Sequence, residues 1–202
     1  ELVGMSFSFV KGQAFYVPFP EMKEEANAFI EILRPFFENE DIIKVGQNLK
    51  YDIKVLKNYD LEVKGFLFDT MIAHYLINPD MRHNMDVLAE TYLQYQPKPI
   101  EDLIGKKGKG QKSMRDVSLE DVKEYAAEDA DITYQLKEVF APKLEQSKTI
   151  ELFNKIESPL VSVLADMEAE GICLDVAYLK QLSTELLNES QKLQSKIFEV
   201  AE

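Results

Sequence analysis

Asp41-Ile42-Ile43-Lys44-Val45-Gly46, then Asn48-Leu49-Lys50-Tyr51-Asp52-Ile53-Lys54-Val55-Leu56, is the stretch that decides how this chain folds. The first piece is short and mostly apolar, as in a strand buried in a sheet. The second carries Leu49, Asp52, Ile53 and Leu56 at three-and-four spacing, the inward stripe of a helix that Asn48 is placed to cap. Strand and helix alternate again at Gly65-Phe66-Leu67-Phe68, which ends at Asp69-Thr70 and leads into an apolar helix through His74 to Ile77. Upstream, residues 2–9 alternate like a strand, and residues 13–18 form its hairpin partner across Val10-Lys11-Gly12. Residues 21–39 have helical spacing through Phe29, Ile32, Leu33 and Phe36. Strands first, then strands alternating with helices, predict an α/β layered domain with a mixed sheet.

Further along, residues 85–92 read as a short helix, and residues 94–115 are irregular, with Pro97, Pro99 and a glycine-lysine run over 105–112. Ser118 and Asp121 have capping-box spacing at the start of a long helix over 118–140. Residues 150–171 are helical, interrupted at Ser158-Pro159, where serine caps and proline takes the first helical position. After an extended Ile172-Cys173-Leu174, Asp175 caps a last helix. Its stripe of Leu179, Leu182, Leu186, Leu193, Ile197 and Val200 suits an antiparallel helix pair.

Composition sets the bounds. The 202 residues, 46% of them hydrophobic, suffice for one good-sized domain with an appendage or for two small ones. No run approaches the roughly eighteen apolar residues of a membrane helix, and no secretory signal opens the chain. Cys173 is the only cysteine, which excludes an intrachain disulfide, fits a reducing compartment and reads as a small buried hydrophobe. The net charge of −13 argues against binding nucleic acid by bulk attraction to phosphate. A nuclease, which needs local carboxylates for metal ions, is not excluded.

Two carboxylates interrupt apolar stripes. In the long helix, Val122, Tyr125, Ala126, Asp129, Leu136 and Val139 share a face, with Glu128 turned about 100° and Asp131 about 200° from Asp129. Asp129 is then either the inward acid or one member of a solvated acidic surface. Asp52 breaks the other stripe in the same way. It is either compensated by a metal ion or salt-bridged to Lys50, Lys54 or Lys57. Two acids from two helices beside the Tyr125 phenol make half of a two-metal site. His74 and His83 lack ligand spacing; His74 follows an apolar helix face, as a core or interface histidine does.

Gly46-Gln47-Asn48-Leu49-Lys50-Tyr51-Asp52 and Tyr125-Ala126-Ala127-Glu128-Asp129-Ala130-Asp131 resemble the second and third exonuclease motifs of bacterial DNA polymerase I. The proofreading domain of that family belongs to the DEDD, tyrosine-type branch of the ribonuclease H-like nucleases. Phe68-Asp69-Thr70-Met71 and Arg82-His83-Asn84-Met85-Asp86 are similar to the same domain. Ile156-Glu157-Ser158-Pro159-Leu160-Val161 and Met167-Glu168-Ala169-Glu170-Gly171 resemble the start of the polymerase domain, leading into its thumb. The resemblance implies a ribonuclease H-like mixed sheet over residues 1–148 and the opening polymerase helices over 149–202.

It also implies Asp52 and Asp129 as metal ligands, with Tyr125 orienting the attacking water, for Mg2+ with Mn2+ or Zn2+ as alternatives. Asn48, Lys50, Arg82 and Ile100 become DNA-contacting residues. For Lys50 and Arg82 the alternative is a surface salt bridge, and for Ile100 a plain core contact. The implied partners are single-stranded DNA 3′ ends, primer-template DNA and the rest of a polymerase chain, in the bacterial cytoplasm beside the nucleoid. The glycine-lysine run would track phosphate or simply be a solvated loop.

One departure matters. The family's first motif, Asp-x-Glu at the end of the first sheet strand, is absent from residues 1–20, and Glu1 alone does not replace it. The chain therefore reads as a fragment beginning after that strand, with an incomplete two-ion site and little activity of its own. The competing readings are a non-catalytic scaffold or DNA-binding domain and, opposed by the polymerase-like segment, a stand-alone RNA exonuclease.

Overall fold

A computed structural model describes residues 2–201; Glu1, weighed above as a partial substitute for the first motif, lies outside them. The described residues form two compact units that meet in sequence between Ala169 and Glu170. In the first, β1 (Gly4–Val10) and β2 (Gln13–Pro18) form an antiparallel hairpin, with Met5 opposite Val17 and Phe7 opposite Phe15. Gly12 takes a left-handed φ of 79° in the turn. Helix α1 (Lys23–Phe37) follows, then β3 (Lys44–Gly46), α2 (Leu49–Lys57), β4 (Leu67–Asp69) and α3 (Thr70–Ile77). Strands β3 and β4 are parallel, Val45 pairing with Phe68. Helix α4 (Met85–Leu88) runs into a π turn at Ala89–Leu93, α5 (Glu101–Ile104) is a single turn, and α6 (Leu119–Gln146) is the longest helix of the first unit.

Helix α6 packs across β1, β2, β3 and α3. Its buried residues Ile132, Leu136, Phe140 and Leu144 share one cluster with Phe68, Ala73 and Leu88. A second cluster joins Leu2 and Phe19 to Ala26 and Ile30 of α1 and to Leu56 and Leu61. Among the described residues the strands form two separate two-stranded sheets, β1-β2 and β3-β4. The α/β layering expected from the sequence is therefore present, as mixed pairs and not as one continuous sheet.

Several local expectations need correction. In α1 the inward residues are Ala26 and Ile30; Ile32, expected inside, is 77% exposed. The break expected at Ser158-Pro159 is not a break. Helix α7 (Ile150–Leu152) passes through a π turn (Phe153–Glu157) into α8 (Ser158–Glu170). The Ser158 N–H reaches back to the Phe153 carbonyl, and this wider turn lies where Pro159 has no N–H to donate. The Ser158 hydroxyl does not cap its own helix but donates to the Leu67 carbonyl at 2.7 Å, pinning α8 to β4. Ser118 does cap α6, accepting from Asp121 N at 3.2 Å.

In the second unit, α9 (Val176–Ala201) is capped by Asp175, which accepts from Tyr178 N at 2.9 Å. The α9 stripe lies on the surface, with no buried residue in the helix. Cys173 is exposed, contrary to its reading as a buried hydrophobe. Among the described residues no helix is long and apolar enough to cross a membrane.

Candidate active site

The third-motif helix brings its acids to three different tasks. Asp131 accepts from Gly12 N at 2.7 Å and from Gln135 Nε2 at 2.8 Å, tying α6 to the hairpin turn. Glu128 accepts from the Tyr95 hydroxyl and from Lys98 N at 3.0 Å, which holds the loop before α5. Asp129 interacts with the hydroxyl of Tyr125, one turn earlier on the same face. All three acids are half-buried, so this is not a solvated acidic surface. Burial pushes the Asp129 carboxyl up to about 6; the Tyr125 hydrogen bond opposes that rise, and the charges of Glu128 and Asp86 add to it. Burial and then Asp129 raise the Tyr125 phenol far enough that it keeps its proton at neutral pH and acts as a donor, not as a base.

Asp52 departs from expectation. Leu49, Ile53 and Leu56 form the buried stripe of α2, and Asp52 lies at its exposed margin. The helix curves away by about 100° per residue, which leaves a side chain beside a stripe in contact with water. Protein crowded around it and the charge of Asp69 still push its carboxyl up to about 6. Among the described residues no lysine pairs with it: Lys50 and Lys54 pair with Glu168 at 2.7 and 2.8 Å, and Lys57 pairs with Asp166. That removes the salt-bridge reading of Asp52. It also places Lys50 in an ion pair, so a phosphate at Lys50 would have to displace Glu168.

Asp69 is a residue whose role the sequence did not reveal. As N-cap of α3 it accepts from Met71 N at 2.9 Å and Ile72 N at 3.3 Å, and across the sheet it accepts from Asn48 N at 3.2 Å and Leu49 N at 2.7 Å. One carboxylate thus caps two helices. Asn48 was expected to cap α2 with its own side chain and does not; its backbone is left-handed at φ 64°, a conformation asparagine tolerates.

Arg82 is exposed between α3 and α4. Ile100 is 41% exposed at the start of α5, so it is not a core contact. The lysines of the 105–112 run are exposed.

His74 and His83, nine residues apart, do meet: their Nδ1 atoms are 2.7 Å apart, and His74 Nε2 is 3.0 Å from the Tyr92 hydroxyl. Burial, then the charge of His83, pushes His74 down to about 4, so it is neutral in the core. Gln47 Nε2 donates to the His83 carbonyl at 2.7 Å, fixing the segment that carries Arg82 and Asp86 to the end of β3.

The charges of Glu128 and Asp86 thus bear on both Tyr125 and Asp129, and that of Asp69 bears on Asp52. Among the described residues no group of three or more His, Cys, Asp or Glu side chains is arranged to hold a metal ion. Two carboxylates with raised pKa suit a hard divalent cation as donors, but they are fewer than its full shell. A 530 Å³ cleft nearby, lined by Lys11, Gly12, Tyr95, Glu128, Asp131 and Gln135, includes none of Asp52, Tyr125 and Asp129.

Comparison with known proteins gives these residues their setting. Residues 1–145 match the model of the 3′–5′ exonuclease family of A-type DNA polymerases, and the chain belongs to that family. Among curated proteins it is 38% identical over 183 residues to DNA polymerase I of Borreliella burgdorferi, covering 89% of this chain and 20% of that protein. It is 35% identical over 212 residues to DNA polymerase I of Pseudomonas aeruginosa, covering 100% of this chain and 23% of that protein. The chain thus spans about a fifth of the length of these relatives.

Two solved structures share the fold. The polymerase domain of Pol1 from M. smegmatis, in complex with DNA primer-template and dNTP, superimposes with a TM-score of 0.67 at 21% identity, over 90% of this chain and 28% of that one. Brucella melitensis NrnC bound to pGG gives 0.60 at 18% identity, over 79% and 72%.

Proposed function

We propose that the chain carries the 3′–5′ proofreading exonuclease of a bacterial DNA polymerase I. It would remove the terminal nucleotide from single-stranded DNA 3′ ends, with 149–202 opening the polymerase domain. The observation that carries this is the Tyr125–Asp129 pair, set within a matched exonuclease segment, together with Asp52, a second acid of raised pKa that no lysine among the described residues pairs with. Asp52 and Asp129 would hold Mg2+, or Mn2+ or Zn2+ in its place. When bound, such ions lower the pKa of a water and stabilise a leaving 3′ oxygen. Tyr125, locked in its protonated form, orients that water by donating a hydrogen bond. Asn48 and Arg82 contact the strand, and the exposed Ile100 packs against terminal bases.

What supports a first strand upstream of residue 2 is that β1-β2 and β3-β4 are separate among the described residues while α6 packs across both, a gap that such a strand would fill. Such a strand, ending in Asp-x-Glu, would join the pairs into one mixed sheet and add carboxylates between α2 and α6. A second reading, a catalytically silent nuclease fold that positions a polymerase or binds DNA, is favoured by the lack of a three-acid cluster among the described residues.

The test is digestion of 3′-labelled single-stranded DNA by the chain extended upstream through an Asp-x-Glu strand. The proposal expects Mg2+-dependent release of mononucleotides, stopped by EDTA and abolished by Asp129→Ala. Binding of the strand without cleavage would establish the silent scaffold instead.

A further inference from the structure

We propose that Glu168, outside the stretch that matches the exonuclease family, is a positioning residue for the nuclease site: from α8 it clamps Lys50 and Lys54, and so sets the helix that carries Asp52. The role in catalysis rests on the reading of Asp52 given above; the clamp itself does not.

One carboxylate serves two lysines a helical turn apart. Glu168 Oε1 accepts from Lys50 Nζ at 2.7 Å and Oε2 accepts from Lys54 Nζ at 2.8 Å. A single bond would fix only a spacing, whereas two bonds spread along α2 also fix its rotation. Lys57, on the same stripe, adds a third tie to Asp166. Asp52 lies about 200° round the helix from Lys50, so the clamped face and the acid-bearing face are opposite sides of one rigid rod.

The charges are badly placed for their own helices. Lys50 is in the first turn of α2 and Glu168 in the last turn of α8, each the wrong sign for the local helix dipole. Their placement makes sense as a bond between helices. Beneath it, Leu49 and Ile53 of α2 share a buried cluster with Val161 and Ala165 of α8. At the other end of α8, the Ser158 hydroxyl is fixed to Leu67. Helix α8 is thus held at both ends. The hydrogen bonds from Lys50 and Lys54 pull the Glu168 carboxyl down to about 2, so the clamp stays charged through the neutral range.

The experiment is amide hydrogen exchange on the 202-residue chain, read residue by residue in α1, α2 and α6. Glu168→Gln is expected to speed exchange in α2 by about fivefold, the scale of one or two exposed ion pairs, while exchange in the C-terminal half of α6 stays unchanged. High salt on the unaltered chain should produce the same local change, and Lys50→Glu/Lys54→Glu/Glu168→Lys should restore protection. Unchanged α2 exchange in both Glu168→Gln and high salt would overturn the clamp. So would equal acceleration in α1, α2 and α6, which marks general loss of stability. Exchange needs no catalysis, so the clamp survives if the digestion assay refutes the nuclease. If exchange responds while digestion by the upstream-extended Glu168→Gln chain is unaltered, the catalytic part of the proposal fails.

Discussion

Asp69 Oδ2 accepts the Leu49 N–H at 2.7 Å, while Oδ1 of the same carboxylate accepts the N–H groups of Met71 and Ile72, so the first turns of α2 and α3 share one acid. Helix starts leave several N–H groups without intrahelical partners, and a capping side chain is commonly worth about 1 kcal/mol. Asp69→Ala removes two caps at once and should cost about 2–3 kcal/mol in urea unfolding. Asp69→Asn keeps one acceptor oxygen and should cost less. A loss no larger than that of an ordinary surface substitution would show that water replaces the carboxylate at both helices.

Asp129 predicts an unusual pH dependence. Its folded-state pKa of about 6 lies above the ordinary value of 3.8, so between those pH values the folded chain holds a proton that the unfolded chain has lost. That stabilisation is complete below the unfolded value and is gone once pH rises through about 6. Asp129→Asn should therefore match the unaltered chain near the acidic end of this window and exceed it by about 1–3 kcal/mol at neutral pH. Asp52 shifts in the same direction, but water at its exposed margin screens the effect. Equal stability of the two proteins across the range would contradict the environment described for Asp129.

How much of this was legible in the sequence depends on whether the information is local. The hairpin partner at Gln13–Pro18 and the Ser118 cap follow from alternation and from residues three apart, and both appear as read. Asp129 was separable from Glu128 and Asp131 by helical rotation, because Tyr125 lies one turn away on its own face. Asp52 was harder. Its spacing placed it in the buried stripe, but the stripe of a nine-residue helix is narrow, and only the tertiary position of α8 shows which lysines are occupied. The double cap by Asp69 and the meeting of His74 with His83 join residues through the ends of strands and loops. No periodicity encodes such contacts. A carboxylate at the end of an apolar strand, directly before a helix, was the available sign for Asp69. The separation of the two strand pairs is equally invisible to pattern, since alternation marks strands and not their neighbours.

Tyr125 offers a separation of chemistry from stability. Its hydroxyl is held protonated by burial and by Asp129. In the upstream-extended chain, Tyr125→Phe should leave unfolding within about 1 kcal/mol while lowering the rate of 3′-end digestion roughly 10²-fold, the effect of misplacing a reacting group. Full activity in Tyr125→Phe would remove the phenol from the mechanism.

The most direct measurement is a Mn2+ titration of the upstream-extended chain, with paramagnetic broadening followed at the side-chain carbons of its aspartates. The account predicts that Asp52 and Asp129 broaden together at the lowest Mn2+ concentrations, and that Asp129→Ala weakens broadening at Asp52. Broadening confined to other acids, or independent responses of Asp52 and Asp129, would contradict a shared metal site.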